Sequence, residues 1–374
     1  MKRKFATFMV MLLAFALLIG TTAITVSAET TTYTPIGGSA TFVKNLVVDE
    51  DANIPDLAFN YQIKRGDYQA ATTTTVEILE GIGANIGSAE FTNADTTNTI
   101  PGLPTDADPT NPTTGKKYAQ KSVLITFPET SFTKPGVYRY IITETSSPAL
   151  PGVTYDANPT RYLDVFVVAD ESSNVLSVNG YVLRDAATNI GIDGKYVTDS
   201  DKKSAGYTNS ITQYDFDFSK TISGNQGDKN KRFDFTLHIT NANPGVYPVV
   251  TNDVTGNPTS ITVLGNGTAT ADYHLTNGSS VQVIGLNAGA VCTVEEDPDD
   301  YTPTHKLDSE EAVAGSNSGE ITLANSNHSV AFTNTRTGII PTGIIMTIAP
   351  FAVGILVFGG VIAFIIYKRK KRLY

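Results

Sequence analysis

Through the middle of the chain, apolar and polar residues alternate at period two, with almost no trace of a helical period. The clearest runs are KSVLITF (121–127), GVYRYIITE (136–144), RYLDVFVVAD (161–170), RFDFTLHIT (232–240) and SSVQVIGL (279–286). Alternation puts successive side chains on opposite faces of an extended strand, so each run predicts a strand with one buried face. The runs are short, rich in Val, Ile, Thr, Tyr and Phe, and separated by Gly, Pro, Asn and Asp. Together they predict an all-β sandwich protein with helix as a minor insert. Two polar stretches, NTIPGLPTDADPTNPTTGKK (98–117) and RDAATNIGIDGKYVTDSDKK (184–203), predict exposed loops.

The strand pattern repeats weakly. A first copy opens at ATFVKNLVVDEDANIPDLAFNYQI (40–63), passes KPGVYRYIITET (134–145) and closes at GYTNSI (206–211). A second opens at FDFSKTISGNQGDKNKRFDFTLHI (216–239), passes GLNAGAVCTVEED (285–297) and closes at VAFTN (330–334). Each copy carries a Lys on its first strand, a Glu on a late strand and an Asn on its last. Roughly 300 residues between the chain ends suffice for two domains with separate cores, predicted at 29–210 and 211–337.

The ends differ from this middle. Lys2, Arg3 and Lys4 precede an apolar run from Phe5 to Ile19 and then Val26-Ser27-Ala28. That order predicts a secretory signal peptide over 1–28. Ile344 to Tyr367 holds no charged side chain over 24 residues, enough for a transmembrane helix, and a basic tail (368–374) follows, which keeps positive charge cytoplasmic. Setting aside eight basic residues at the ends leaves 19 of the 27 Lys and Arg against 37 Asp and Glu, a net charge of −18. So acidic an exterior disfavours nucleic acid and anionic membrane surfaces. Cys292 is the only cysteine, so no intramolecular disulfide can form, and it reads as a buried, inert thiol.

Lys, Glu and Asn buried together permit one particular reaction. A desolvated Lys amine loses its charge readily and becomes a nucleophile toward a carboxamide. The same burial keeps a carboxylic acid protonated, able to polarise the amide and carry protons as ammonia leaves. The product is an isopeptide bond, made without a cofactor or metal, that restricts the unfolded chain as a disulfide would. The candidates are Lys44, Glu144 and Asn209 in the first copy and Lys220, Glu296 and Asn334 in the second. Strand parity groups Glu144 with Tyr138, Tyr140 and Ile142, and Glu296 with Cys292 and Val294. Phe42, Tyr207, Phe218 and Phe332 each lie two residues from a reactant and are expected to supply its apolar surround. Any one of these Lys, Glu or Asn residues, taken alone, reads as ordinary solvated strand surface.

At these positions the chain resembles the backbone pilins of Gram-positive bacteria, the T-antigen type. KPGVYRYIITE, the following PGVTYD (151–156), SKTISG (219–224) and FTN match that family in order and separation. The resemblance implies two tandem Ig-like, CnaB-type β-sandwiches, with bond-forming Lys44 and Lys220, acids Glu144 and Glu296, and Asn209 and Asn334. The family often has Thr where this chain has Glu295, so Glu295 stays open beside Glu296. Ile339-Ile340-Pro341-Thr342-Gly343, then the apolar span and basic tail, resembles a sortase sorting signal, with cleavage implied between Thr342 and Gly343. Pro341 keeps that peptide extended. In such pilins a Lys just ahead of the first Asn accepts the next subunit, which implies Lys202, with Lys203 and Lys195 as alternatives.

The resemblance implies a structural major pilin, secreted, polymerised head to tail with identical subunits by a sortase transpeptidase, joined to minor pilins and anchored to peptidoglycan. Before cleavage the tail would hold a membrane-bound precursor. A monomeric wall-anchored adhesin, or a minor tip or base pilin, is the competing expectation. An enzyme is disfavoured: His238, His274, His305 and His328 are scattered, and neither a nucleophile elbow nor a phosphate loop occurs. Nor does a Cys–Gln pairing suggest a thioester adhesin.

Overall fold

The computed structural model describes residues 32–99, 115–198, 203–253 and 255–338. The signal peptide, the 339–343 motif, the 344–367 span, the basic tail and Lys202 lie outside the described residues. Every regular element among the described residues is a strand.

The first domain comprises β1 (Ile36–Asp49), β2 (Leu57–Arg65), β3 (Ile78–Glu80), β4 (Asn85–Ile86), β5 (Ala89–Phe91), β6 (Thr97–Thr99) and β7 (Lys116–Phe132), then β8 (Gly136–Thr145), β9 (Val153–Thr154), β10 (Thr160–Ala169), β11 (Leu176–Arg184) and β12 (Gly206–Ile211). One sheet runs β4-β7-β1-β12-β9, with β6 also on β7; the facing sheet runs β11-β10-β8-β2-β5, with β3 also on β8. β7 is longer than the 121–127 run that predicted it, because it pairs antiparallel with β1 from Ile36 opposite Phe132 to Asp49 opposite Lys116. Its flanking residues are polar on the exposed face and so lack a strand signature.

The second domain comprises β13 (Gln213–Ser223), β14 (Phe233–Thr240), β15 (Gly245–Thr251), β16 (Ser260–Val263), β17 (Ala269–Leu275) and β18 (Ser280–Asn287), then β19 (Val291–Asp297), β20 (Thr302–Leu307), β21 (Val313–Ala314), β22 (Ile321–Thr322) and β23 (His328–Thr335). Its sheets run β16-β15-β18-β13-β23-β20-β21 and β17-β14-β19-β22.

Each pair of sheets closes over its own core. Phe42, Phe59, Val123, Ile142 and Val165 are buried in the first, and Phe218, Phe235, Tyr273, Val283 and Phe332 in the second. Removing each such side chain from water contributes roughly 1.5–3 kcal/mol. In both domains the first strand pairs in parallel with the last, β1 with β12 and β13 with β23. A parallel neighbour cannot be reached by a hairpin, so the whole domain is the crossover between these two strands.

Most described residues of the stretch 184–203 are exposed, as predicted, but a few are buried against the sheet, and 199–202 lie outside the described residues. Ile190 joins Val76, Ile78, Val137 and Phe166 in a small apolar cluster on the outer face of the β8–β10 sheet. Beside it, buried Arg139 forms a bidentate pair with Asp164 (2.7 and 2.8 Å) and also donates to Thr188 O at 2.7 Å. Tyr196 donates to the same Asp164 at 3.0 Å. The strap is polar in composition but pinned to the sheet at Thr188, Ile190 and Tyr196.

Only Thr212 separates β12 from β13, and its neighbours hold the joint. Thr212 N–H donates to Gly152 O (2.9 Å), Ala288 N–H to Thr212 O (2.8 Å) and Asp56 N–H to Pro244 O (2.8 Å). Asn53 donates to Val246 O and Asn243 to Pro151 O, at 2.8 and 2.9 Å.

Gly206 starts β12 with φ of +148°, and a Cβ there would lie 1.8 Å from Val43 O on β1. Close approach of the last strand to the first thus requires glycine at this point. Gly206→Ala is expected to destabilise the first domain by at least about 2 kcal/mol in chemical denaturation, through strain and displaced pairing; unchanged stability would contradict this placement.

Candidate functional site

The parallel first and last strands set two residues side by side in each domain. Lys44 on β1 lies opposite Tyr207 of β12, and Asn209, two residues on, lies opposite Leu46. Lys220 on β13 lies opposite Phe332 of β23, and Asn334 lies opposite Ile222. The offset is identical. Positions two apart on a strand share a face, so Lys and Asn of each pair meet on the inward side. The acid comes from the facing sheet: Glu144 on β8 opposite Tyr61 of β2, and Glu296 on β19 opposite Phe235 of β14.

In the first cluster Lys44 and Asn209 are 0% exposed and Glu144 is 4% exposed. Lys44 Nζ donates to Glu144 Oε1 at 2.5 Å, and Asn209 Nδ2 donates to the same oxygen at 3.2 Å. Tyr61 OH stands 3.5 Å from it. Asn209 Oδ1 accepts the backbone N–H of Asp156 at 2.8 Å. The Phe59 ring lies 4.5 Å from Nζ and the Tyr207 ring 5.9 Å.

In the second, Lys220 is 1% exposed, Asn334 0% and Glu296 5%. Lys220 Nζ pairs with Glu296 Oε1, to which Asn334 Nδ2 also donates at 2.8 Å. The rings of Phe233 and Phe235 lie 4.3 and 5.8 Å from Nζ. Among the described residues no donor reaches Asn334 Oδ1. Glu295, left open beside Glu296, points outward and accepts Asn317 Nδ2 at 2.6 Å. Cys292 is fully buried on the same strand, where desolvation pushes its thiol pKa well above the usual range.

Burial dominates the electrostatics. It lowers Lys44 from 10.5 to about 8 against the opposing pull of Glu144, and lowers Lys220 to about 8 against Glu296. Both carboxyls are pushed up by the same desolvation, with their lysines pulling the other way. Moving one proton from ammonium to carboxylate removes both charges from a medium that solvates neither well. What remains is a neutral amine beside a carboxamide, with one carboxyl touching both nitrogens. That arrangement suits amide transfer with loss of ammonia.

All six residues singled out from the sequence therefore meet in two clusters of three. Of the aromatic residues expected around them, Tyr207 faces Lys44, whereas Phe42 packs one layer back on Tyr61 and Tyr207 (5.0 and 5.4 Å between centroids). Phe218 and Phe332 similarly pack on Phe235. The rings nearest the amines, Phe59 and Phe233, were missed, as were Tyr61 and Asp156. Phe59 and Tyr61 sit on alternate positions of β2, as Phe233 and Phe235 do on β14, so an aromatic pair two apart on each second strand is the signal that could have found them. Lys203 and Lys195 are exposed, the latter 3.6 Å from Asp193. The histidines pair separately with Thr270, Asp234, Gly315 O and Asp308. Among the described residues no three His, Cys, Asp or Glu side chains group as metal ligands would.

Residues 40–212 match the family model described as a Spy0128-like isopeptide containing domain. Residues 214–336 match a model described as a domain of unknown function. The chain is 28% identical over 371 residues to a pilin of Streptococcus pyogenes serotype M1, covering 95% of this chain and 97% of that one. It superposes on the crystal structure of the major pilin from Streptococcus pyogenes with a TM-score of 0.50 at 22% identity, covering 81% of this chain and 99% of that one. A mutant of a Streptococcus pyogenes major pilin gives 0.51 at 21% identity, covering 81% and 100%. The fold is thus a pilin-like arrangement of β-sandwiches.

The depth of Cys292 has a direct consequence. A thiol reagent is expected to leave the native protein unlabelled and to modify one thiol per chain in denaturant. Rapid stoichiometric labelling of the native protein would contradict its burial.

Proposed function

We propose, taking residues 40–212 as a Spy0128-like isopeptide containing domain, that the chain is a structural major pilin subunit of a Gram-positive pilus, each domain closing one Lys–Asn isopeptide bond on itself. The observation that carries this reading is the recurrence of one arrangement in two domains: a buried Lys on the first strand, an Asn at the same diagonal offset on the last, and a Glu from the facing sheet bonded to both.

In the proposed reaction the neutral Nζ of Lys44 attacks Cγ of Asn209, and the nitrogen's surplus proton passes through Glu144 to Nδ2. The Cγ–Nδ2 bond breaks and ammonia leaves, so an amide replaces an amide and no redox partner is needed. Lys220, Glu296 and Asn334 repeat the step. Glu144 and Glu296 act as proton carriers and return to their starting state; the chain is a substrate of its own chemistry and not an enzyme toward others. For a loop of a hundred residues or more, the loop-closure estimate gives roughly 5 kcal/mol of stabilisation per cross-link. Joining first strand to last also lets a pulling force pass through covalent bonds instead of strand pairing.

Polymerisation would proceed by sortase cleavage at Thr342-Gly343 and transfer to Lys202, or to Lys203 or Lys195, of an identical subunit. Minor pilins and peptidoglycan are the further partners of such a fibre, which would be secreted, anchored to the cell wall and available for adhesion. The acidic ectodomain and the lone cysteine suit an exported rod that relies on amide cross-links in place of disulfides.

Intact mass spectrometry of the ectodomain is expected to read about 34 Da below the sequence mass, one ammonia of about 17 Da per bond by reaction stoichiometry. Glu144→Ala and Glu296→Ala should each restore about 17 Da, while Glu295→Ala should restore none. A wild-type protein at full mass would end this reading.

The rate of ammonia loss during refolding should follow a bell against pH, because the reactive Lys–Glu pair holds one proton, on the acid. Acid adds a second proton, on the amine; alkali strips the pair. With each Lys lowered to about 8, the alkaline limb should fall from about pH 8. A rate still climbing past pH 10, as a free lysine would give, counts against the buried pair.

A further inference from the structure

The two clusters differ at the oxygen of the reacting amide. In the first, PGVTYD (151–156) runs along the edge of β12 as β9, with Thr154 opposite Ser210 and Val153 opposite Ile211. The chain then turns so that the Asp156 N–H points at Asn209 Oδ1, 2.8 Å away. On the other side of the same amide, Nδ2 faces Glu144. Two partners of opposite character therefore fix which end of the carboxamide is oxygen.

Asp156 is itself clamped. Its carboxylate accepts the Thr208 N–H at 3.0 Å and the Asn158 N–H at 3.0 Å. Arg161 Nη2 donates to both of its oxygens, at 3.1 and 3.2 Å. Arg161 is buried, stacks on the Tyr207 ring at 4.8 Å and donates through Nε to Ser204 at 2.8 Å. The second cluster has no counterpart: among the described residues Asn334 Oδ1 has no donor, although Asn334 Nδ2 meets Glu296 as before.

Attack of Nζ on Cγ moves an electron pair onto Oδ1, and a preplaced N–H at that oxygen stabilises the charge as it develops. We infer that the backbone N–H of Asp156 is the oxyanion donor for the Lys44–Asn209 reaction, that the Asp156 carboxylate and Arg161 are the positioning groups that hold it, and that the Lys220–Asn334 bond, lacking such a donor, closes more slowly. The inference rests on the isopeptide reading above. Within the first cluster it divides the labour: Glu144 serves the two nitrogens and Asp156 the oxygen. The electron pair returns from Oδ1 to re-form the carbonyl as ammonia departs, so the donor is unchanged at the end.

The test uses the full-length chain recovered unfolded from inclusion bodies, its un-cross-linked fraction recognised by full mass. Dilution into refolding buffer at pH 8 starts both clusters together. Aliquots quenched in acid and denaturant are digested, and each cross-linked peptide is quantified by mass spectrometry, with folding followed in parallel by tyrosine fluorescence. Removing one oxyanion donor typically costs about 10²–10³ in rate, so the Lys44–Asn209 bond is expected to close at least about tenfold faster than Lys220–Asn334. Asp156→Ala should slow the first bond by about tenfold or more and leave the second unchanged, whereas Asp156→Asn, which can still accept from Thr208, should slow it less.

The sign of that change separates positioning from charge. The negative charge of Asp156 favours the protonated form of Lys44, so removing it by electrostatics alone would free the amine and speed the first bond. Equal rates for the two wild-type bonds, or an Asp156→Ala first bond that closes as fast as wild type or faster, would overturn the inference while leaving both cross-links in place. Absence of both cross-links from wild type would instead overturn the isopeptide reading, and the inference with it.

Discussion

An amine and a carboxyl forced to share a dry space between two sheets set the terms for the rest of this molecule. Neither Lys44 nor Lys220 reaches water, and among the described residues each finds only one charged partner within hydrogen-bonding distance. Such a pair is poorly stabilised as ions and better accommodated as neutral acid and neutral base, the form the proposed amide transfer would use. The aromatic rings of Phe59 and Phe233 close the space from below. The parallel pairing of first and last strands then brings a carboxamide to the amine with no freedom to search. Core, topology and chemistry thus converge on the same few atoms in each domain.

The domains reach that arrangement with different surroundings. Tyr61 opposite Glu144 can extend a hydroxyl toward the acid, whereas Phe235 opposite Glu296 cannot. The PGVTYD segment and Arg161 build a polar layer behind Asn209, whereas among the described residues Asn334 Oδ1 meets no donor. Between the domains the chain passes from β12 to β13 through Thr212 alone, and hydrogen bonds from Asn53, Asp56 and Asn243 tie the flanking loops across the joint. A load carried along the chain would meet β1 and β12, that short joint, and then β13 and β23.

Much of this was legible in the sequence because it rests on strand parity. Alternation located β8, β10, β14 and β18, and parity put Glu144 and Glu296 on inward faces; Glu296, not its neighbour Glu295, meets Lys220. What escaped depends on which strands become neighbours. Tyr61 lies on β2, far from Glu144 in the chain, and faces it only through the β2–β8 register, while Phe59 on the same strand meets the Lys44 amine. Asp156 contributes a backbone N–H, a donor every residue but proline has, so its side-chain type carried no hint of it. The 184–203 stretch looked solvated because Ile190 and Thr188 are isolated among polar residues, yet the outer face of the sheet supplies Arg139, Asp164 and Phe166 to hold them.

A crystal structure at a resolution that separates bonded from non-bonded atoms tests the central claim most directly. The account predicts continuous density between Lys44 Nζ and Asn209 Cγ and between Lys220 Nζ and Asn334 Cγ, each at the amide C–N length of about 1.33 Å. Separate side chains at hydrogen-bonding distance in both domains, with each Asn still carrying its own nitrogen, would contradict it.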